Sequence, residues 1–129
     1  MSHITEISVE IHDLTALDEA CKELGVQLMK NQKQFRWFGS RKSSCDHAIT
    51  IPGNSSCYEI GVKEKAKNSF SLEWDQWAGA QGMVAMVGQD ATKLIDHYGA
   101  NVAKKQLKRQ GYRINQSIGA QGQVILDVS

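Results

Sequence analysis

The chain reads as an α+β domain: an antiparallel sheet of about five to seven strands with two helices packed on one face. Three observations predict this class. Short segments alternate apolar and polar residues with the period of a half-buried strand, as in Ile7, Val9, Ile11 and again in Phe70, Leu72, Trp74. Two longer stretches, Leu14 to Leu24 and Ala91 to Val102, place their apolar residues at helical spacing instead. Between them the text from Val26 to Leu72 is β throughout and is punctuated by turn-forming residues, which makes a meander of antiparallel neighbours. The 129 residues are expected to form one domain, 1–129, large enough to bury a core without metal or disulfide staples.

Each element has a local reason. The first strand is expected from about Ile4 to Ile11. Asp13 then offers an N-cap oxygen, Leu14, Leu17, Cys21 and Leu24 make an amphipathic stripe, and Gly25 stands where a C-terminal glycine ends a helix. Cys21 lies on that stripe and reads as a buried structural thiol. Strands follow at Val26–Leu28, at Gln34–Phe38 closed by Gly39, at Ala48–Ile51 and at Tyr58–Val62. Pro52-Gly-Asn-Ser55 between the last two is a strong hairpin signal. A turn centred on Gly53-Asn54 sets Ile49 opposite Tyr58, His47 opposite Ile60 and Cys45 opposite Val62.

Phe70 to Trp74 continues the meander, and its alternation breaks at Asp75-Gln76-Trp77. The glycine-rich stretch Gly79 to Gly88 is expected as a loop or a short helical turn on the sheet edge. The second helix is expected from Ala91 to Gln110, capped by Asp90, with a drifting apolar face or a kink at Gly99, and ended by Gly111. A closing hairpin runs through Tyr112-Arg-Ile-Asn, the turn at Ile118–Gly122, and Val124–Val128. The shared Gly-Ala-Gln-Gly at 79–82 and 119–122 reads as similar turn chemistry, not as duplication.

Composition excludes several function classes. With 41% hydrophobic and 22% charged residues and a formal charge of +1, the chain is an ordinary soluble type with no global bias toward nucleic acid. No apolar run reaches the length of a membrane helix, and Met1 to Glu6 resembles neither a secretion signal nor a transit peptide, so the expected address is the cytoplasm. Three cysteines without a CxxC spacing point to reduced thiols. Charge is nevertheless uneven. Acids (Glu6, Glu10, Asp13, Asp18, Glu19, Glu23) dominate the N-terminal stretch, whereas Lys30, Lys33, Arg36, Arg41, Lys42 and later Lys104, Lys105, Lys108, Arg109, Arg113 form basic stretches. Such a pattern can mark a polarised surface.

No catalytic constellation assembles. Cys45 and His47 are spaced to share a strand face, and with Cys57 and one further histidine they could make a zinc site. The spacings that make zinc sites recognisable are missing, and core packing or a solvated strand end accounts for both residues. Cys45, with Arg41 and Lys42 before it and His47 after, is the nearest approach to an activated nucleophile, but no oxyanion donor or orienting group accompanies it. Glu73 and Asp75 read as residues of a solvated sheet face. Neither a dinucleotide fingerprint nor a P-loop is present, and no cofactor is expected. The most informative stretch is Lys33 to Lys42, where Phe35, Trp37 and Phe38 are interleaved with Arg36, Arg41 and Lys42, the mixture used to bind single strands on a sheet face. Alternation also puts Phe35 and Trp37 on one side and Arg36 and Phe38 on the other.

Taken in order, several short motifs carry a resemblance. They are the opening Met1-Ser2-His3, the strand and helix through Gly25, and the tryptophan-rich strand end before Gly79. The Tyr98-containing helix leading into Gln110-Gly111-Tyr112 and the closing hairpin complete the set. Together they resemble the domain of unknown function 1257 family, which includes the conserved hypothetical reading frame 35 of plastid and cyanobacterial genomes. The sequence departs from that pattern at Trp74 and Trp77, which Asp75-Gln76 separate. The resemblance implies an α+β fold and supplies no activity, cofactor or catalytic residue. The polarised charge pattern and aromatic-rich strands, with no assembled catalytic constellation, lead to the expected function, a non-enzymatic module that docks a partner protein. The alternative is single-stranded nucleic-acid binding through Phe35, Arg36, Trp37, Arg41 and Lys42; zinc binding is the third reading. Trp77 is the residue beside which a functional surface is sought, and its plainer role is to plug the sheet edge beneath the glycine turn.

Overall fold

Alternation from the N-terminus builds β1 (Thr5–Ile11). The carboxylate of Asp13 accepts the Ala16 N–H at 3.0 Å and starts α1 (Leu14–Glu23), which stops before Gly25 at φ 80°. The computed structural model describes residues 4–38, 41–54 and 56–129; the opening Met1-Ser2-His3, the strand-closing Gly39 and Ser55 of the hairpin turn lie outside the described residues. After α1 come β2 (Gln27–Lys30), β3 (Gln34–Arg36), β4 (Lys42–Ser44), β5 (His47–Thr50), β6 (Ile60–Ala66) and β7 (Ser69–Trp74). β1, β7, β6, β5 and β2 form one antiparallel sheet in that spatial order, so α1 carries the chain from one edge to the other. β3 and β4 form a separate two-stranded sheet.

The register of the β5–β6 hairpin corrects the sequence expectation. Ile49 faces Ile60 and His47 faces Val62, two residues away from the predicted pairing. The reason lies in the connection. Asn54 accepts the N–H groups of Ser56 and Cys57 at 3.1 and 3.0 Å, and Tyr58 and Glu59 then bond outward to the carbonyls of Gly79 and Arg36. The loop is therefore longer than a tight turn. A slip of two preserves sidedness. Ile49, Ile60, Val62, Leu72 and Trp74 are all fully buried in one core with Leu17 and Cys21 of α1.

Beyond Trp74 the chain makes one turn of 3-10 helix (Ala78–Ala80), α2 (Gln81–Val87), a second such turn (Gln89–Ala91) and α3 (Thr92–Arg109). The stretch expected as a loop or short helical turn thus contains a seven-residue helix, because Met83 and Val87 bury one side while Gly82 faces solvent. Asp90 does not cap α3. It sits at φ 56°, Ala91 follows at φ 57°, and its N–H and carboxylate are held by Gln76 at 2.6 and 2.9 Å. α3 runs unbroken through Gly99, and its buried side passes from Leu94 to Asn101. Gly111, at φ 90°, ends it, and β8 (Ile114–Ile118) and β9 (Val124–Val128) close the chain as a hairpin against α3. The two Gly-Ala-Gln-Gly segments do different work: the first leads into α2 and the second turns β8 into β9.

α3 grips α1 at both ends. The Tyr98 hydroxyl accepts the N–H groups of His12 and Asp13, and Lys105 reaches Asp13 at 3.0 Å. At the other end Glu23 accepts from Asn101 at 3.0 Å and lies 3.1 Å from His97 Nδ1. Part of the charge asymmetry in the sequence is consequently neutralised inside the molecule. Among the described residues no helix is long and apolar enough to cross a membrane.

Candidate functional site

The face of the main sheet turned away from the helices carries the β3–β4 hairpin. Phe35 fixes it there. Its ring is fully buried with Cys45 and Ala48, and it fills the space above Gly61, where a Cβ would come within 2.4 Å of the ring. Pairing of Gln34 with Ser44 and of Arg36 with Lys42 puts these four residues on the outward side of the hairpin. Arg36 is held in place: its N–H donates to Glu59 Oε1 at 2.8 Å, and its guanidinium donates to the Cys57 carbonyl at 2.7 Å. Glu59, 6% exposed, also accepts from the Gln32 amide at 3.2 Å. Gln32, Lys33, Gln34, Arg36, Lys42, Ser44 and Glu59 together line an open groove of about 600 Å³.

Of the residues expected on a partner surface, some reach it and others do not. Phe35 does not, because it is the anchor and no part of its ring is free to stack on a ligand. Arg36 lines the groove with its charge engaged by Glu59 and Cys57. Trp37 is half-buried, packs against both cores and donates its indole N–H to Ser43 Oγ at 2.9 Å. Arg41 is exposed and lies over the Trp37 and Phe38 rings, 5.5 and 5.8 Å from their centres. Lys42 is exposed at the groove. Phe38, 47% exposed, is the aromatic side chain that the surface does offer. The alternation that separates it from Phe35 and Trp37 was the signal for it.

Trp77, also 47% exposed, stands on a different element, the turn after β7. Its N–H donates to Asp75 Oδ1 at 3.0 Å, and its carbonyl accepts from Ala80. The two places are linked through one short segment, since Tyr58 bonds to Gly79 on the Trp77 side and Glu59 bonds to Arg36 on the hairpin side. Gly79 is needed there, because a Cβ would lie 2.3 Å from the Tyr58 ring. Asp75 itself is fully buried and is not the partner of Glu73 on a solvated face; past Trp74 the chain turns inward, while Glu73 stays with Lys65 at 3.3 Å.

Cys45, His47 and Cys57 do not converge. Cys45 precedes β5, donates its thiol to the Gln32 carbonyl and packs beneath the sheet, whereas His47 faces Val62 on the helix side and Cys57 belongs to the main core. The shared face expected for Cys45 and His47 is thereby lost. Burial, reinforced by Asp46 and Glu59, pushes the Cys45 thiol up to about 11, which opposes formation of a thiolate. Burial pushes Cys21 up to about 12. Burial also holds His47 below its ordinary value, and its Nδ1 accepts the Asn31 N–H at 2.9 Å. Among the described residues no three His, Cys, Asp or Glu side chains gather as metal ligands would. No family model, no curated protein and no solved structure matches this chain.

Proposed function

We propose that the chain is a non-enzymatic interaction module whose docking surface is the outward face and tip of the β3–β4 hairpin, and that its partner is a protein presenting an acidic segment. One observation carries this reading: Phe38 and Arg41 are exposed at the tip of a hairpin fixed to the sheet by Phe35, beside a groove rimmed by Lys33 and Lys42. An exposed aromatic residue flanked by cations has the composition of an interface anchor. The high thiol pKa values and the separation of Cys45 from His47 favour binding over nucleophilic chemistry. A cytoplasmic location and membership in the resembled family belong to the same proposal. In a capture experiment with tagged chain, Phe38→Ala with Arg41→Ala is expected to lose the partner while the circular dichroism spectrum is unchanged. A double variant that retains the same partner sinks the proposal.

The cations of the groove also favour a second reading, single-stranded nucleic acid lying along Lys33, Arg36 and Lys42 with a base on Phe38. Anisotropy of labelled single strands separates the two. A strand binder loses affinity steeply with salt, with a log–log slope of about −0.7 per phosphate contacted. Absence of binding at low salt removes this reading.

A further inference from the structure

We propose that β8 is a dimerisation edge, on which a second copy of this chain adds its own β8 in antiparallel register about Gln116. The argument begins with the hydrogen bonds of the hairpin. Arg113 and Ser129 exchange both of their backbone bonds, and Gly119 donates to Gln123. Since such pairs alternate along an antiparallel ladder, the N–H and C=O groups of Ile114, Gln116 and Ile118 point away from β9. β9 turns its outer edge to α3, where Asp96 accepts the Val124 N–H at 2.9 Å. Among the described residues nothing bonds to the outer edge of β8.

This edge also lacks the devices that guard the others. β1 breaks its register between Ile7 and Ile11 and carries Glu6 and Glu10; β2 ends on Lys30. From Ile114 to Leu126 the closing hairpin has no charged residue, no proline and a regular register. An unguarded neutral edge is a template for another strand.

That strand is identified by complementarity. β8 reads Ile-Asn-Gln-Ser-Ile, nearly the same in both directions. A two-fold axis at Gln116 sets Ile114 opposite the partner's Ile118, Asn115 opposite the partner's Ser117, and the two Gln116 amides against each other. Ile118 has the highest exposure among the exposed large apolar side chains, 57%, and it comes to rest beside a half-buried isoleucine. Charge agrees with this arrangement. Arg113, with Lys108 and Arg109 behind it, falls at the ends of the ladder across from the neutral hairpin tip, so the basic clusters of two copies are kept apart.

Light scattering on the full chain over a micromolar to millimolar range tests the proposal. The expected result is twice the mass of one chain, falling to one chain in Ile118→Lys and in Gln116→Pro, with circular dichroism unchanged in both. Gln116→Cys provides a readout that needs no destabilising change. Cα atoms facing each other in a hydrogen-bonded pair are about 5.5 Å apart, within disulfide range. Air oxidation, with oxygen as the electron acceptor for the two thiols, is therefore expected to give a covalent dimer. A wild-type chain that stays monomeric throughout overturns the proposal, as does a dimer that survives both edge substitutions. Should those variants fail to fold, a folded Gln116→Cys chain that remains monomeric after oxidation overturns it equally.

Discussion

Gly61 sits near the start of a central strand, where glycine costs entropy and contributes no packing, because the Phe35 ring occupies the position of its missing side chain. Gly61→Ala should destabilise the fold by about 1–3 kcal/mol through overpacking, read from urea unfolding. The penalty should shrink in a Phe35→Leu background, which makes a double-mutant cycle the decisive measurement. A second residue-scale expectation concerns the thiols. Cys21, Cys45 and Cys57 are all buried, and two have raised pKa values, so a native sample should leave all three unmodified by a thiol reagent at neutral pH, whereas a denatured one should react at all three. Rapid labelling of Cys45 in the folded state contradicts that assignment. Single residues were also where the sequence was most legible. Asp13 as cap, Gly25 and Gly111 as helix stops, and Phe70, Leu72 and Trp74 on one buried face all follow from local rules.

Legibility declines at the scale of elements. Period-two spacing separates Phe35 from Arg36 but does not say which of two faces is the covered one, and here an entire small sheet folds beneath the large one. That is why Phe35, expected on a partner surface, is instead a buried anchor. The β5–β6 register differs from the expected one for a similar reason: Tyr58 and Glu59 bond to Gly79 and Arg36, partners distant in sequence that no turn rule contains. The entrance to α3 is a third case. Asp90 and Ala91 occupy left-handed backbone conformations, and Gln76 ties the segment down. Gln76→Ala should cost about 0.5–1.5 kcal/mol and should raise hydrogen exchange in the first turn of α3 more than elsewhere. Uniform loosening of the whole molecule contradicts a local role.

At the scale of the molecule, the acids of α1 and the bases of α3 tie two helices together. The Ala16 N–H, joined by Lys105 and opposed by burial, holds the Asp13 carboxyl below its ordinary value. Burial pushes Glu23 up, but hydrogen bonds from His97 and Asn101 and the charge of Lys104 outweigh it and leave that carboxyl lowered too. Carboxyls with lowered folded-state values add stability above their unfolded values, near pH 4, and lose it as pH falls through the folded ones. Asp13→Asn and Glu23→Gln should therefore be less stable than the parent chain at pH 7 and should converge with it as pH falls below the folded-state values of these carboxyls, as followed by urea midpoints across pH. A gap that persists undiminished in acid would place their effect in packing instead. The fold class was readable from patterning alone, since it depends on which residues alternate; the placement of the hairpin and the β8 edge depends on contacts that only the folded chain makes.

The passage of α1 from one sheet edge to the other has a consequence for how the protein is made. β1 is synthesised before the other strands of its sheet, yet among the described residues it pairs with β7, the last strand of that sheet to be synthesised. Until Trp74 has cleared the exit tunnel, β1 is an unpaired ribbon attached to a helix that has only β2, β5 and β6 to pack against. The nascent chain must carry that exposed material through the translation of every intervening strand, which leaves co-translational holding factors a long interval in which to act.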